Sequence, residues 1–465
     1  MNQTAFSTLN MMHPDLLNNL STLGYETMTP IQAASLPAIL AGSDVIAQGK
    51  TGSGKTAAFA LGLLNKLTVE DVQVQSLVLC PTRELADQVS KEIRRLARSI
   101  PNIKVLTLCG GVSIRPQIDS LKYGAHIIVG TPGRIEDHLK RQTLALNNVN
   151  TVVLDEADRM LDMGFKDAIN AIVDQTPKKR QTLLLSATFP DQIKAIAKRI
   201  MNNPVMVQVE STHDSDSIEQ HFYKVDNQQA GITALRLLLL AYRPESTVIF
   251  CNTKQETQEI TDDLKNHGFS ALALNGDLEQ RDRDQTLVRF ANRSSSILVA
   301  TDVAARGLDI DALDAVINFY IPHDPEIYIH RIGRTGRAGS KGLALTIYAQ
   351  NEYKMTMLSD YIGHNINSES LPPLSTLDGK AMKPPMATLQ ISGGKKDKVR
   401  PGDILGALTG EHGIAGNQVG KINIFDNQAY VAVSRDVAKI ALKKLTDGKL
   451  KGRSFRVRMV WDWPA

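Results

Sequence analysis

The chain has 465 residues, which is too long for one ordinary domain and suggests two or three. Hydrophobic residues make up 42% and charged residues 22%, the balance of a globular protein that can build full cores. The sequence shows neither a signal peptide nor an apolar stretch of the roughly 20 residues needed to cross a bilayer, so we expect a cytoplasmic protein without membrane contact. The three cysteines, Cys80, Cys109 and Cys251, lie in apolar or strand-like settings and are expected to be buried thiols, which suits a reducing compartment.

Charge is distributed unevenly along the chain. Residues 380–465 hold 16 lysines and arginines against 7 acidic residues, a net charge of +9, although the whole chain carries only +4. The first 379 residues are therefore slightly acidic, at −5. A basic module on an acidic body indicates a polyanion as the partner of that module. A solvated lysine-rich surface would give the same count, so charge alone leaves both interpretations open.

From residue 45 to about 210, short apolar runs alternate with helical patterns. Runs such as "SLVLCPT", "HIIVGTP" and "TVVLDEA" are continuously apolar and end in small or polar residues, as strands of a parallel sheet do when both faces are buried. The alternation begins again after a polar, linker-like stretch at 209–217. The pattern predicts two α/β domains in tandem, at 1–210 and 218–370, with functional residues at the carboxyl ends of their strands.

The last part of the chain changes pattern after a Pro-rich stretch without helical periodicity, which we assign as a linker at 371–387. Residues 388–465 then follow the order strand, helix, strand, strand, helix, strand, with the last strand predicted at 453–460. A βαββαβ order in under ninety residues is that of the RNA-recognition-motif fold, a four-stranded sheet backed by two helices. The predicted fold class is therefore α/β, with two parallel-sheet domains followed by a small α+β domain.

The stretch "AQGKTGSGKT" contains the pattern G-x-x-x-x-G-K-T, formed by Gly49, Gly54, Lys55 and Thr56, directly after a strand-like run. In this pattern the glycines let backbone N–H groups close around phosphates, the lysine reaches the β and γ phosphates, and the threonine hydroxyl ligates Mg²⁺. A strand before it and a helix after it distinguish it from an ordinary glycine-rich turn. We therefore predict a nucleoside triphosphate site here.

The stretch "VVLDEAD" ends a predicted buried strand with three carboxylates, Asp155, Glu156 and Asp158. Acidic residues at a strand end often belong to a solvated loop. Downstream of a phosphate loop, however, an apolar strand that delivers two adjacent carboxylates indicates nucleotide hydrolysis. Asp155 would hold Mg²⁺ through water, and Glu156 would orient or deprotonate the attacking water.

The second α/β domain lacks a phosphate loop and carries "TDVAARGLD" and "HRIGRTGR" instead. In the latter, Arg331, Arg334 and Arg337 recur every three residues and so fall close to one side of a helical turn. Three unpaired arginines flanked by glycines favour an anion that binds and leaves. If the two α/β domains face each other, Arg334 and Arg337 can act as arginine fingers on the γ-phosphate, and catalysis would then require domain closure.

With these motifs in order, residues 1 to about 370 resemble the DEAD-box family of ATP-dependent RNA helicases, which is named for the tetrapeptide found here at 155–158. The resemblance implies two RecA-like domains, ATP and Mg²⁺ as cofactors, and RNA bound through phosphates and 2′-hydroxyls with little base reading. It also implies that closure on ATP bends one strand and separates a short duplex locally, and that hydrolysis releases the strand.

The resemblance further implies roles for individual residues. In "GYETMTPIQ", Tyr25 would stack on adenine and Gln32 would bond its edge, with Phe6 as an accompanying aromatic residue. The implied ATP-binding residues are Tyr25, Gln32, Gly49, Thr51, Gly52, Ser53, Gly54, Lys55, Thr56 and, at the ribose, Asp309. The implied catalytic residues are Lys55, Asp155, Glu156, Arg334 and Arg337. The implied RNA contacts are Pro81, Thr82, Arg83, Gly110, Gly111, Thr131, Arg134, Asn252, Arg283 and Thr301. The residues implied to couple hydrolysis to unwinding are Asp158, Ser186, Thr188 and His330.

The basic C-terminal segment resembles the RNA-binding domain of a bacterial helicase of this family that is specific for ribosomal RNA, over 393–410, 419–434 and 448–458. That resemblance implies a hairpin of 23S rRNA as the target and a role in assembly of the large, 50S ribosomal subunit, with no obligate protein partner evident. The third strand keeps only Tyr430 of the usual stacking aromatics, and basic residues gather before the first helix and around the last turn. We therefore expect RNA to lie across loops and helix ends more than over the sheet centre. The predicted contacts are Lys395, Lys396, Lys398, Arg400, Tyr430, Lys451 and Arg453.

Two alternatives remain at this point. A translocating DNA helicase could be built from the same paired domains, although the adenine-reading segment, "TPGR" at 131–134 and the RNA-type tail argue against it. An ATP-gated RNA clamp with little turnover is the alternative from a different class. The presence of Lys55, Glu156, Arg334 and Arg337 opposes that interpretation.

Overall fold

The computed structural model describes residues 5–49, 52–209, 218–305, 313–336, 341–349, 352–362 and 365–460. The described chain contains three separate sheets, of seven, six and four strands. They form two compact units, one built on the first sheet and the other on the second and third sheets together. Within these described ranges, no helix is both long enough and apolar enough to span a membrane.

The first sheet is parallel throughout, with the strand order β3-β4-β2-β5-β6-β1-β7. Its strands are β1 Val45–Gln48, β2 Ser76–Leu79, β3 Val105–Leu108, β4 Ile127–Gly130, β5 Thr151–Leu154, β6 Gln181–Ser186 and β7 Val205–Gln208. Its helices are α1 Pro14–Thr22, α2 Pro30–Leu40, α3 Lys55–Lys66, α4 Arg83–Leu96, α5 Arg115–Leu121, α6 Pro132–Lys140, α7 Ala157–Asp162, α8 Lys166–Val173 and α9 Asp191–Ile200. The central strands are buried on both faces, as their continuously apolar sequences predict.

The second sheet is also parallel, with the order β10-β11-β9-β12-β13-β8. Its strands are β8 Ile218–Val225, β9 Thr247–Cys251, β10 Ala271–Leu274, β11 Ile297–Thr301, β12 Ala315–Phe319 and β13 Gly342–Ala349. Its helices are α10 Gln228–Tyr242, α11 Lys254–Asn266, α12 Gln280–Ala291, α13 Asp302–Ala305, α14 Pro325–Ile332 and α15 Glu352–Ile362. The two parallel-sheet domains that the alternation predicted are thereby confirmed.

The third sheet is antiparallel and follows the predicted βαββαβ order, with the strands arranged β15-β16-β14-β17. Its elements are β14 Met386–Ile391, α16 Pro401–Thr409, β15 Val419–Ile424, β16 Ala429–Ser434, α17 Ala438–Asp447 and β17 Val457–Val460. One face carries apolar side chains such as Leu389 and Val431, which pack in a single cluster with residues of the two helices. The small α+β domain is thereby confirmed as well.

The opposite, more polar face of the third sheet is also buried. Thr388 and Gln390 alternate with the apolar residues of β14, and Tyr430 pairs with Gln390 across the sheet, so all three share this face. The exposed fractions of Thr388, Gln390 and Tyr430 are 0%, 4% and 0%. The second domain supplies contacts here, because the Thr388 hydroxyl accepts from Asn292 Nδ2 at 2.8 Å. The small domain is therefore docked by its polar face against α12 and the residues that follow it.

Candidate functional site

Apart from the predicted adenine-reading segment, the predicted residues of the first domain follow six neighbouring strands of one parallel sheet. Because the carboxyl ends of parallel strands meet at the same edge, these loops converge there, which is where ligands bind in open α/β sheets. The loops begin at Gly49 after β1, Cys80 after β2, Cys109 after β3, Thr131 after β4, Asp155 after β5 and Ala187 after β6. The structure therefore places these predicted residues at one edge of the sheet.

The phosphate loop joins β1 to the N-terminus of α3, as its sequence pattern predicted. Gly54 has φ +98°, and a Cβ there would meet Gln32 Nε2 at 2.6 Å, so both the backbone and the space require glycine. The Lys55 side chain is buried and donates to the Gly49 carbonyl. The other predicted loop residues that the structure describes are Gly52, Ser53 and Thr56. Thr51 lies outside the described residues.

Gln32 links the predicted adenine-reading segment to the phosphate loop. Its Nε2 donates to the Gly54 carbonyl at 3.1 Å, while its Oε1 accepts from the Thr29 backbone N–H at 2.9 Å. The Thr29 hydroxyl in turn caps α2, so the amide of Gln32 has a fixed orientation. A displacement of the predicted adenine-reading segment would therefore be transmitted to the phosphate loop through this hydrogen bond.

Tyr25 is held by two residues of α4 that the sequence analysis did not single out. Its hydroxyl donates to Glu92 Oε1 at 2.9 Å, and the Arg95 guanidinium carbon lies 5.2 Å from the centroid of its ring. The buried Phe6 ring meets it edge to face, with 6.0 Å between centroids. Burial raises the pKa of Tyr25, and the Glu92 carboxylate adds to this. Stacking of Tyr25 on adenine stays a prediction.

Asp155 and Glu156, the residues predicted for hydrolysis, directly follow the buried strand β5, and both are buried themselves. Burial raises the pKa of the Asp155 carboxyl to about 7, and the charge of Glu156 adds to the rise while that of Lys55 opposes it. Glu156 has a left-handed backbone at φ 52°, and its Oε2 accepts from Arg159 Nη1 at 2.9 Å. The sequence analysis missed Arg159, although its i, i+3 spacing from Glu156 is a recognisable signal.

Asp158 is bonded directly to the loop after β6. Its Oδ2 accepts from the backbone N–H groups of Ala187 and Thr188, at 3.1 and 3.0 Å, and from the Thr188 hydroxyl at 3.1 Å. Ser186, the last residue of β6, is buried beside them. The structure thus brings together Asp158, Ser186 and Thr188, three of the four residues implied to couple hydrolysis to unwinding.

The predicted RNA contacts of the first domain lie after β2, β3 and β4 on the same sheet edge. The Thr82 hydroxyl accepts from the Leu85 N–H and caps α4, so Pro81, Thr82 and Arg83 surround a helix N-terminus. Gly111 has φ +74°, a left-handed conformation that glycine adopts freely. Thr131 precedes α6, whose Arg134 donates to the Val112 carbonyl at 2.8 Å.

In the second domain Arg331 is a buried structural residue, which corrects the prediction that three unpaired arginines face an anion. Its exposed fraction is 2%. It donates from Nε and Nη2 to the two carboxylate oxygens of Asp302, at 2.7 Å each, and from Nη2 to Asn252 Oδ1 at 3.2 Å. A fixed bidentate pair of this kind leaves Arg331 no freedom to bind a ligand that comes and goes. The pairing partner was invisible in the sequence because Asp302 lies 29 residues away.

The remaining predicted residues of the second domain occupy strand and helix ends. Thr301 ends β11, and Arg283 on α12 donates from Nη2 to the Ala304 carbonyl at 2.7 Å. His330 lies in α14, and Arg334 follows that helix with 9% of its surface exposed. Asp309 and Arg337 lie outside the described residues.

The basic residues of the tail are exposed and form one surface from two segments. Lys451 joins them, because its ammonium donates to the Lys398 carbonyl at 2.9 Å and lies 3.2 Å from Asp403 at the start of α16. Backbone bonds from Lys395 to the Phe425 carbonyl and from Lys396 to the Asp426 carbonyl attach the first segment to the β15–β16 turn. The exposed predicted residues are Lys395, Lys396, Lys398, Arg400, Lys451 and Arg453.

Tyr430 does not belong to this exposed surface. Its ring lies on the docked face of the third sheet with 0% exposed, and burial raises its pKa to about 12. Charged side chains of the first turn of α12, Arg281 and Asp284, lie near it. No face of this ring is open to a nucleotide base in this arrangement, so the structure does not support the predicted contact between Tyr430 and RNA.

Comparison with known proteins gives three successive family matches along the chain. They are the DEAD/DEAH box helicase family at residues 29–196, the helicase conserved C-terminal domain at 230–339, and the DbpA RNA binding domain at 388–459. The ATP-dependent RNA helicase DbpA of Escherichia coli is 54% identical over 458 residues, covering 98% of this chain and 100% of that protein.

Solved structures of similar proteins agree with this assignment. Dbp5 of S. cerevisiae bound to RNA and ADP BeF3 is 30% identical, with a TM-score of 0.70, over 80% of this chain and 97% of that one. Mss116p bound to ssRNA and AMP-PNP is 27% identical, with a TM-score of 0.71, over 81% of each chain. The two parallel-sheet domains are therefore RecA-like helicase domains, and the chain belongs to the DEAD-box family of ATP-dependent RNA helicases, RNA-dependent ATPases among which it is closely related to DbpA.

Proposed function

We propose that this helicase locally unwinds RNA duplexes in precursors of the large ribosomal subunit, and that its tail directs it there by binding a hairpin of 23S rRNA in the cytoplasm. Membership in the family supplies the ATP-driven reaction on RNA. The match to the DbpA RNA binding domain at 388–459, together with its exposed basic surface, supports the targeting. That surface is the observation that carries the proposal.

ATP is proposed to bind at the carboxyl edge of the first sheet. Lys55 is buried near the carboxylates of Asp155 and Glu156. On binding ATP, its ammonium would give up the hydrogen bond to the Gly49 carbonyl and bind the β and γ phosphates instead. Gln32 and Tyr25 would hold the base, and Asp309 the ribose. Because Gln32 also bonds the Gly54 carbonyl, recognition of the base would adjust the phosphate loop at the same time.

The residues at this edge fit Mg²⁺. The Thr56 hydroxyl and the Asp155 carboxylate are oxygen donors, which is the ligand type that Mg²⁺ prefers, the latter acting through water. Asp155 is buried with its pKa raised to about 7, so a nearby divalent cation would favour the ionised carboxylate that the site needs. When bound, the ion would neutralise charge on the phosphates.

Glu156 is proposed to orient and deprotonate the attacking water. Arg159 holds Oε2 of its carboxylate, which fixes the side chain without occupying both oxygens. Arg334 and Arg337 are proposed to donate to the γ-phosphate as charge develops. Asp158 would then pass the change at the γ-phosphate to the loop of Thr188, because three hydrogen bonds make these two segments move together.

RNA is proposed to contact the helicase domains through backbone N–H groups, hydroxyls and guanidinium groups, which bind phosphates without reading bases. These contacts would be the residues named above after β2, β3 and β4, with Asn252, Arg283 and Thr301 in the second domain. In the tail the hairpin would lie against the loops that carry Lys396, Arg400 and Arg453, since the sheet face is already covered.

The test is RNA-stimulated ATPase activity of the full chain with a 23S rRNA fragment that contains the hairpin near the peptidyl transferase centre, against an unrelated duplex of equal length. We expect half-maximal stimulation at a concentration at least about tenfold lower for the rRNA fragment, in line with typical specificity ratios. Lys396→Ala with Arg400→Ala should remove the difference. Lys380→Ala with Lys439→Ala, which removes the same charge elsewhere, should keep it.

Equal stimulation by both RNAs would contradict the targeting. Tight binding of ATP and RNA with no turnover would instead identify an ATP-gated clamp.

A further inference from the structure

Gln117 on α5 lies between the two loops of the first domain that are proposed to contact RNA. Its Nε2 donates to the carbonyl of Cys109, the residue before the Gly110–Gly111 pair, at 3.0 Å. Its Oε1 accepts from Arg134 Nη1 at 3.0 Å and lies 3.1 Å from His138 Nε2, both on α6. One amide therefore joins the loop after β3 to the helix after β4.

The partners of this amide determine its orientation and the tautomer of His138. The Cys109 carbonyl can only accept and the Arg134 guanidinium can only donate, so the amide nitrogen must face the former and the oxygen the latter. His138 Nε2 must then carry a proton and donate to Gln117. His138 Nδ1 lies 2.8 Å from the Thr143 hydroxyl oxygen, and that hydroxyl donates to the His138 backbone carbonyl at 3.1 Å.

The surroundings of His138 agree with a neutral ring. The side chain is fully buried, and burial lowers its pKa, with the positive charge of Arg134 adding to the effect. A neutral imidazole that carries its one N–H on Nε2 makes the bond to Gln117. His138 therefore acts as a fixed, uncharged hydrogen-bond donor within the domain.

Arg134 is held from two sides. Besides its bond to Gln117, its Nη2 donates to the carbonyl of Val112, directly after the glycine pair, at 2.8 Å. A guanidinium carries five N–H groups in one plane, so two fixed bonds set the direction of the plane while other N–H groups can meet a phosphate. Losing the bond to Gln117 would free the guanidinium to rotate.

We propose that Gln117 and His138 are positioning residues for RNA binding: they hold Arg134 and the Gly110–Gly111 loop in the arrangement that grips the RNA backbone. This inference rests on the proposed RNA contacts of Arg134, Gly110 and Gly111. Neither residue needs to touch RNA, because each acts through the hydrogen bonds described above. Their effect should therefore appear in the use of RNA and not in the use of ATP.

Steady-state ATPase measurements with single-stranded RNA test this role. We expect Gln117→Ala to raise the RNA concentration for half-maximal activity about threefold to tenfold, the effect of losing a hydrogen bond that orients a charged group. The KM for ATP should stay unchanged. His138→Leu should act in the same direction, and His138→Gln should restore most of the RNA affinity, since the amide nitrogen of glutamine can occupy the place of the ring Nε2.

Ser120→Ala is the matched control for α5. Its hydroxyl donates only locally, to the Pro116 carbonyl at 2.8 Å, on the exposed side of the helix. Its RNA and ATP dependence should match the parent chain. Thermal unfolding of each variant separates a loss of fold from a loss of positioning, and Gln117→Ala, which is only half-buried, provides the test if His138→Leu does not fold.

Combination with Arg134→Ala separates the positioning role of Gln117 from the RNA contact of Arg134. If Gln117 acts through Arg134, adding Gln117→Ala to Arg134→Ala should weaken RNA binding little further. If Arg134→Ala weakens RNA binding while Gln117→Ala does not, the positioning role is overturned and the proposed RNA contact stands. If Arg134→Ala itself leaves RNA binding unchanged, the proposed contact fails, and the positioning role fails with it.

Discussion

Glu156 shows how a single side chain is prepared for its proposed role. It sits after a buried strand in a left-handed conformation, and Arg159 bonds one of its carboxylate oxygens at 2.9 Å. Replacement by glutamine keeps the size and an oxygen for Arg159 but removes the basicity needed to take a proton from water. The fold of the site should therefore survive while the chemistry does not.

We expect Glu156→Gln to lower the RNA-stimulated ATPase rate at least about a hundredfold, the usual contribution of a general base. The affinity for ATP, measured by fluorescent nucleotide titration, should change little. Glu70→Gln, an exposed residue after α3, is the matched control and should keep full activity. An unchanged rate in Glu156→Gln would exclude Glu156 as the base.

The contact partners of Arg331 could not be predicted from the sequence alone. Its repeat with Arg334 and Arg337 suggested an anion site, but the fold places it against Asp302, Asn252 and Phe250, with the guanidinium carbon 5.1 Å from the ring centroid of Phe250. A lysine ammonium is a compact point charge and lacks the planar fork that forms the bidentate pair with Asp302. We expect Arg331→Lys to lower the free energy of unfolding by about 3 kcal/mol, measured by urea denaturation. Arg243→Lys, at an exposed arginine, should change it little.

Among the elements, the strands and the phosphate loop were the most predictable. Short, continuously apolar runs that end in small or polar residues and alternate with helical patterns favour strands of a parallel sheet, and these runs became β1 to β6 and β9 to β13. The last strand was predicted from residue 453 and begins at Val457, because Arg453 instead closes a turn with Leu450 through two backbone hydrogen bonds. Local sequence patterns therefore predicted which elements form but did not predict the residues at which they begin and end.

The docking of the small domain could not be predicted, because it depends on residues far apart in the chain. Thr388 reaches Asn292 and Ser294, which precede it by 96 and 94 residues. The same docking covers Tyr430, whose sequence position indicated base stacking. The roles of Gln117 and His138 could not be predicted for a similar reason. Nothing in the local sequence distinguishes either residue, and their contact forms only because the fold brings α5 and α6 together.

The seam between α12 and β14 makes a prediction about stability. The Thr388 hydroxyl accepts from Asn292 Nδ2 at 2.8 Å and lies 2.6 Å from the Ser294 hydroxyl, and all three residues are buried. Valine has the same shape as threonine but leaves the buried Nδ2 of Asn292 without the Thr388 hydroxyl as its acceptor. Ser294 keeps its bond to the Arg289 carbonyl, at 3.1 Å. We expect Thr388→Val to lower the free energy of unfolding by about 2 kcal/mol, measured by urea denaturation.

Thr446→Val is the matched control for this seam, because the Thr446 hydroxyl bonds only the Leu442 carbonyl on the exposed side of α17. It should change the stability by less than about 0.5 kcal/mol, as exposed substitutions usually do. Equal stability of Thr388→Val and the parent chain would show that the polar contacts of the seam contribute nothing to folding.

At the scale of the whole molecule, charge is divided between an acidic body of −5 and a basic tail of +9. A sequence-independent attraction for RNA phosphates should therefore come chiefly from the tail, with the exposed surface of Lys396, Arg400 and Lys451 as its centre. Binding through phosphates releases counterions, so the logarithm of the binding constant falls linearly with the logarithm of salt concentration. The slope of this line counts the contacts that each variant keeps.

We expect Lys396→Ala with Arg400→Ala to reduce the magnitude of this slope by about 1.5, since each lost phosphate contact removes about 0.7 to 0.9. The measurement is fluorescence anisotropy of a labelled 23S rRNA hairpin titrated with the full chain at several salt concentrations. Lys380→Ala with Lys439→Ala leaves the net charge equal to that of the first pair but lies outside the basic surface, so its slope should match the parent chain. Equal slopes for both pairs would show that the tail attracts RNA by its net charge alone, whereas a change confined to the first pair would locate the phosphates at the loops before α16.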